Sequence, residues 1–209
     1  MTANKLLIIG CGALAREIEW LKRQHQWQHV DLQCVDAELH NRPELIAPRV
    51  AHLIEKHRPN YRDIFVAYAD CGTGGQLDKV LSKWSIERLP GAHCYAFYAG
   101  ESTFNALSEE NPATFYLTDF LTRHFDRLVV RGLKLDEHPQ LKPQVFKHYQ
   151  RVVYLQQAHD PAIVDAAQRA AAWLDLPLSI VKTGLGDLGR ALHEQVIHLH
   201  NSGRIDATY

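Results

Sequence analysis

Short apolar runs rich in β-branched residues alternate with stretches of helical periodicity along nearly the whole chain, and that alternation sets the fold class. The runs are Lys5–Ile9, Val30–Cys34, Asp63–Tyr68, Ala113–Leu117, Arg151–Leu155 and Leu178–Val181, with a weaker one at Ile86–Leu89. Each has the length and composition of a strand. Between them, Leu14, Ile18 and Leu21, then Leu77, Val80, Leu81 and Trp84, then Leu188, Leu192, Val196 and Leu199 recur at helical spacing. Asn41-Arg42-Pro43-Glu44 and Asp160-Pro161 carry helix-start chemistry. The pattern predicts an α/β fold: a doubly wound, mostly parallel sheet with helices on both faces, whose ligands belong at the carboxyl ends of the strands.

Residues 1–209 read as a single α/β domain. Gly132 is expected to end a helix that starts near Thr118, and Pro139 and Pro143 break the chain after it, so 110–150 is where two lobes would part. The polar tail 201–209 is expected to be loose. With 209 residues, 46% hydrophobic and 22% charged, the chain can bury a full core. A formal charge of −1 without blocks of like charge argues against nucleic acid or an acidic membrane as partner. The opening Leu6–Ile9 run is too short to span a bilayer and leads into the charged segment Arg16–Glu19, so the expected setting is the cytoplasm. There thiols stay reduced. Self-association stays open.

Cys11, Cys34, Cys71 and Cys94 each fall at the end of a predicted strand or in the loop after it, which would line four thiols along one sheet edge. Cys11 to Cys34 and Cys71 to Cys94 are both 23 residues apart, and the two pairs are offset by 60. At that offset Cys11-Gly12 matches Cys71-Gly72 and Leu21 matches Leu81, as a duplicated βαβ unit would. Thiolate and imidazole are the ligands of zinc and iron–sulfur centres, so Cys11, Cys34, Cys71 and Cys94, with His40 in support, are the candidate metal ligands. No C-x-x-C knuckle is present, so the fold would have to assemble such a site. Four ordinary buried thiols are the alternative.

Two glycine-rich turns could hold a cofactor. Asp70-Cys71-Gly72-Thr73-Gly74-Gly75 follows a strand, and Gly72 and Gly74 would let backbone N–H groups approach a ligand while a helix start lowers the thiol pKa. Gly10-Cys11-Gly12-Ala13-Leu14-Ala15 spells the dinucleotide fingerprint, with Asp36 in range of a ribose, and suggests NAD(P) on Gly10 and Gly12. Gly184-Leu185-Gly186-Asp187-Leu188-Gly189 is a second match. Without metal or nucleotide, Cys71 beside Asp70 and facing Cys11 suits thiol or proton-transfer chemistry, with Thr118, Asp119, His124 and Asp126 as further cleft candidates. Tyr95, with Phe97 and Tyr98, would wall a flat ligand or shield a cluster.

The segments Ile9–Leu14 with Glu17, Leu39–Pro43, Phe65–Gly75, His93–Tyr95, Tyr116–Leu121 and Val152–Leu155 resemble an uncharacterised microbial family, domain-of-unknown-function family 1638, over nearly the whole chain to about Gly189. The resemblance implies a shared thiol site at Cys11, Cys71 and Cys94, supported by Cys34 and His40. It also implies partners among corrinoid-dependent methyl-transfer proteins, and hence methyl or one-carbon transfer. It names neither substrate nor reaction.

Overall fold

The computed structural model describes residues 5–205, and the chain divides into two compact units: 1–94 with 188–209, and 95–187. Among the described residues no helix is long and apolar enough to cross a membrane.

The first unit is built on β1 (Leu6–Cys11), α1 (Ala15–Gln24), β2 (Val30–Val35), α2 (Ile46–His57), β3 (Asp63–Ala67) and α3 (Gln76–Ser82). Its strands are parallel in the order β2-β1-β3, with Gly10 opposite Cys34 on one side and Ala67 on the other. The chain therefore leaves β1 toward one side for β2 and returns to the other for β3, and the ends of β1 and β3 flank a topological switch point. Side chains alternate across the sheet. Leu7 and Ile9 join Val35, Val66 and Tyr68 in a core with Ile46, Val50 and Ile54 of α2 and Leu77 and Leu81 of α3. Leu6, Ile8 and Gly10 face the other way, where Ile18 of α1 packs on Gly10.

The segment after α3 does not form the expected strand at 86–89. One parallel bridge, Val66 to Arg88, is all that remains of it: the next donor in line, Tyr68 N, turns back to Val66 O at 2.9 Å instead of reaching Leu89 O. Asn41 is no helix cap either; the chain winds through two 3-10 turns, Ala37–Asn41 and Pro43–Leu45, before α2 begins at Ile46.

In the second unit α4 (Cys94–Ala99), which opens on the last residue of the preceding segment, leads into α5 (Glu101–Glu110), β4 (Thr114–Thr118) and α6 (Asp119–Arg123). The single helix expected from Thr118 to Gly132 is broken at His124; a π-helical turn, Asp126–Arg131, then closes at Gly132, and α7 (Lys142–Phe146) leads to β5 (Arg151–Gln156). Then come α8 (Pro161–Leu174) and β6 (Leu178–Lys182). Asp160 caps α8 as predicted, its carboxylate accepting from the Ala162 N–H at 3.0 Å. The three strands are parallel in the order β4-β5-β6. The six principal predicted strands are thus present and parallel, shared between two three-stranded sheets. Val152, Tyr154 and Leu117 meet Ile163, Ala167 and Ala171 of α8 in this unit's core. The last helix, α9 (Leu188–Ile205), belongs to the first unit and buries Leu188, Leu192 and Val196. It carries residues 201–205 that were expected to be loose; 206–209 lie outside the described residues.

The strand centred in each sheet differs, β1 coming first in its unit and β5 second in its own, so the units do not repeat one connectivity. Within the first unit the offset of 60 relates Cys11 to Cys71, both at strand exits, and fails for Cys34 and Cys94, since no strand precedes Cys94.

Asp119 ties β4 to β5. It is 2% exposed and accepts from Tyr154 Oη at 2.7 Å, Gln157 N at 3.0 Å and Ala158 N at 3.1 Å. Replacing it by alanine strands the buried Tyr154 hydroxyl and takes the acceptor from two part-buried N–H groups, so Asp119→Ala is expected to lower unfolding free energy by about 2 kcal/mol. Urea titration of the two proteins measures the difference.

Candidate functional site

Three of the four thiols converge at the switch point of the first sheet. Cys11 is the last residue of β1 and, by alternation from Leu7 and Ile9, points to the α2/α3 face. Cys71 lies four residues beyond β3 on the same face, half-buried against the same core. Tyr68, 2% exposed, stands between them.

Cys94 arrives by a different route. The segment 86–92 runs along the free edge of β3 and beyond it: Val66 N donates to Glu87 O (3.0 Å), Leu89 N to Val66 O (3.1 Å), Asp70 N to Gly91 O (3.1 Å) and Cys71 N to Ala92 O (2.8 Å). Arg88 anchors the segment, its guanidinium on Asp78 at 2.6 and 2.9 Å and on Leu89 O at 2.7 Å. Two residues past Ala92, the Cys94 side chain meets that of Cys71 in a hydrogen bond.

The turn that carries Cys71 is held from within. Asp70 accepts from Thr73 Oγ1 at 2.6 Å, Gly75 N at 2.9 Å and Gly74 N at 3.1 Å. The Gly74 N–H expected to await a ligand is therefore taken by the chain's own carboxylate, as is that of Gly75. Gly72 packs beside Pro43. Cys71 itself has φ of 48°, a left-handed conformation that a non-glycine residue adopts at a cost and that recurs at functional sites.

Electrostatics separates the thiols. The Cys94 S–H donates to Cys71, and with the N–H groups of Cys94 and Ala69 it holds the Cys71 pKa below the ordinary thiol value against the opposing effect of burial. Cys94 is pushed the other way, first because it is the donor to Cys71 and then by burial. Cys11 is pushed up to about 11 by burial, which outweighs hydrogen bonds from Tyr68 Oη and the Ala13 N–H. Burial and the neighbouring Cys11 likewise raise Tyr68.

The remaining predicted ligands stand apart. Cys34 occupies the opposite parity to Val35 and so faces away from the α2/α3 core; it is exposed, and burial and the Glu19 carboxylate of α1 raise its pKa. It reaches the cluster only as a weak like-charge effect on Cys11. His40, exposed in the 3-10 turn Ala37–Asn41, has its pKa lowered by partial burial and then by the neighbouring His93. Among the described residues no group of three or more His, Cys, Asp or Glu side chains is arranged to hold a metal ion.

The dinucleotide fingerprint at β1 is explained by packing. A Cβ on Gly10 would lie 3.1 Å from Ile18 Cδ1, and one on Gly12 would lie 3.1 Å from Val35 O and 3.3 Å from Ala37 N, so both glycines admit the chain's own atoms. Asp36 is exposed at the start of the next 3-10 turn. The second match closes the other unit instead: Asp187 N donates to Phe97 O at 2.7 Å, and a Cβ on Gly186 would collide with the Phe97 and Tyr98 carbonyls. Tyr95 is a packing residue there, its ring stacked on Tyr116 at 5.5 Å. Thr118 caps α6 through its hydroxyl, accepting from Leu121 N at 3.2 Å.

Sequence reasoning found the thiols and missed Tyr68 and the 86–92 segment. The Tyr68 signal was its parity: it continues β3 onto the face that carries Val66. Asp70 supplies a pH test of the turn. Its hydrogen bonds from Thr73, Gly75 and Gly74 hold its pKa below the usual carboxylate value against a smaller opposing effect of burial. A depressed folded-state pKa gives stability that is complete above the unfolded value of about 3.9 and fades as pH falls through the folded one. The stability gap between wild type and Asp70→Ala is therefore expected to be flat from pH 7 to about 5 and to close below about 4. Urea midpoints across that range measure it.

A family model described as "Protein of unknown function (DUF1638)" matches residues 34–192, a span with Cys34, His40, Cys71 and Cys94 but without the Cys11 turn, and so shorter at the N-terminus than the resemblance noted above. No curated protein and no solved structure matches the chain. With well over half its length inside the match, the chain belongs to the DUF1638 family.

Proposed function

We propose that the first unit is a thiol-dependent reaction centre in which the Cys71 thiolate is the reacting group. One observation carries the reading: a half-buried sulfur at the switch point of a parallel sheet receives a hydrogen bond from a second thiol and from two backbone N–H groups. Such a sulfur is ionised at lower pH than a free thiol and is the nucleophilic form of cysteine. The left-handed backbone of Cys71 presents it on a tight turn that Asp70 braces from inside. Tyr68 and Cys11 form the floor, Cys11 keeping its proton. A cytoplasmic setting, which keeps thiols reduced, is part of the proposal.

Alkylation by iodoacetamide, read residue by residue in peptide mass maps, tests the reading. Cys71 is expected to react with a pH midpoint below the ordinary thiol value of about 8.5, and Cys94→Ala to move that midpoint upward by removing the donor. A Cys71 that reacts no faster than in urea-unfolded protein overturns it.

A cysteine-ligated iron–sulfur or zinc centre supporting methyl or one-carbon transfer, with a corrinoid or methyltransferase protein as partner, is the second reading. The gathering of Cys11, Cys71 and Cys94 around Tyr68 favours it. The donors as they stand do not fit such a centre: Cys11 is engaged by Tyr68 and Ala13, Cys34 lies on the other face of the sheet, and no three-ligand group is formed among the described residues. Iron and zinc in anaerobically prepared protein are therefore expected well below one atom per chain. A stoichiometric metal that is lost in Cys71→Ser replaces the first reading with the second.

A further inference from the structure

We propose that Cys71 and Cys94 act as an attacking and a resolving thiol, and that the site's substrates are low-molecular-weight disulfides. The proposal rests on the Cys71 reading above and deepens it by naming a substrate class. Three observations support it. The two sulfurs are already in hydrogen-bond contact, although 23 residues separate them and no C-x-x-C motif joins them. Both side chains are half-buried, and Cys71 stands next to the exposed Gly72, which leaves it the more open of the two to a small reagent. The backbone hydrogen bonds Cys71 N to Ala92 O and Asp70 N to Gly91 O tie the Cys71 turn to the segment that leads, two residues on, to Cys94. The recessed Cys71 favours a small disulfide over one embedded in a folded protein.

The steps balance. The Cys71 thiolate attacks one sulfur of R–S–S–R′, a new S–S bond forms as the old one breaks, and R′S⁻ leaves with the electron pair and takes up a solvent proton. The Cys94 proton had been retained chiefly because the Cys71 thiolate accepted its hydrogen bond. With Cys71 capped as a mixed disulfide that acceptor charge is gone, and Cys94 releases its proton to solvent. Its thiolate then attacks Cys71 Sγ and expels RS⁻. One substrate disulfide is reduced to two thiols while two protein thiols become the Cys71–Cys94 disulfide. A thiol reductant, monothiol or dithiol, returns the protein to its starting state by the same exchange. Cys11 stays outside the cycle, held by Tyr68 and Ala13.

The test uses the full chain, reduced and desalted without oxygen, mixed with oxidised glutathione, acid-quenched and mapped by mass. Wild type is expected to accumulate a Cys71–Cys94 disulfide with release of two glutathiones. Cys94→Ser and Cys94→Ala are expected to stop at a glutathionyl adduct on Cys71 that outlives the wild-type adduct by about tenfold or more. Using both variants, each checked by its melting curve, separates loss of the resolving thiol from loss of the fold. A wild-type adduct on Cys71 as persistent as in the variants, or a disulfide from Cys71 to Cys11, overturns the proposal. If iodoacetamide finds the reactive thiolate and the adduct still fails to resolve, the resolving role falls and the thiolate reading stands. If neither reagent modifies Cys71, both fall.

Discussion

The short ladder of hydrogen bonds along the outer edge of β3 is what the candidate site depends on. Without the pairing of residues 66, 70 and 71 with residues 87, 89, 91 and 92, nothing in the connectivity of the first unit would bring Cys94 to Cys71. Each bond contributes on the order of 1 kcal/mol. Their effect on the site is larger than that sum suggests, because together they hold two thiols side by side, each acting on the other's proton affinity. Arg88, bound to Asp78 and to a backbone carbonyl of the same segment, keeps the ladder in register.

The Cys71 turn shows how the chain satisfies its own polar groups. A glycine-rich loop between a strand and a helix leaves several N–H groups pointing into one hollow, and anions exploit such hollows. Here the anion is Asp70, which fills the hollow from the preceding residue and turns a binding loop into a brace for the thiol beside it. Asp119 does comparable work in the second unit, where a buried carboxylate joins the exits of two neighbouring strands. In both places a strand-end acid that could pass for a catalytic group is fully engaged by nearby donors.

Much of the fold was legible because it rests on local periodicity. All six principal strands fall within a residue or two of the runs that marked them, and the apolar stripe Leu188, Leu192 and Val196 is buried as its spacing implies. What periodicity cannot show is how strands are shared between sheets, since adjacency depends on contacts distant in sequence. The thiol site was legible in part. Cys11 and Cys71 could be assigned to one edge from strand exits alone, and parity could have removed Cys34, because one residue's shift along β2 sends a side chain to the other face. Cys94 was expected for the wrong reason: it follows an irregular segment held by backbone bonds, and no residue pattern records those. At Gly10 and Gly12 the chain's own atoms occupy the room that the fingerprint reserves, and a residue pattern alone does not distinguish them from a ligand.

The parity that removes Cys34 from the cluster also makes it useful. It is a surface thiol on the reverse side of the same sheet, its pKa raised in part by the Glu19 carboxylate, and its backbone is paired with Gly10, one residue before Cys11. A fluorophore or spin label attached there would sit two strands away from the reacting sulfur and on the opposite face of the sheet. The molecule thus carries a natural attachment point from which events on the opposite side of the sheet could be watched.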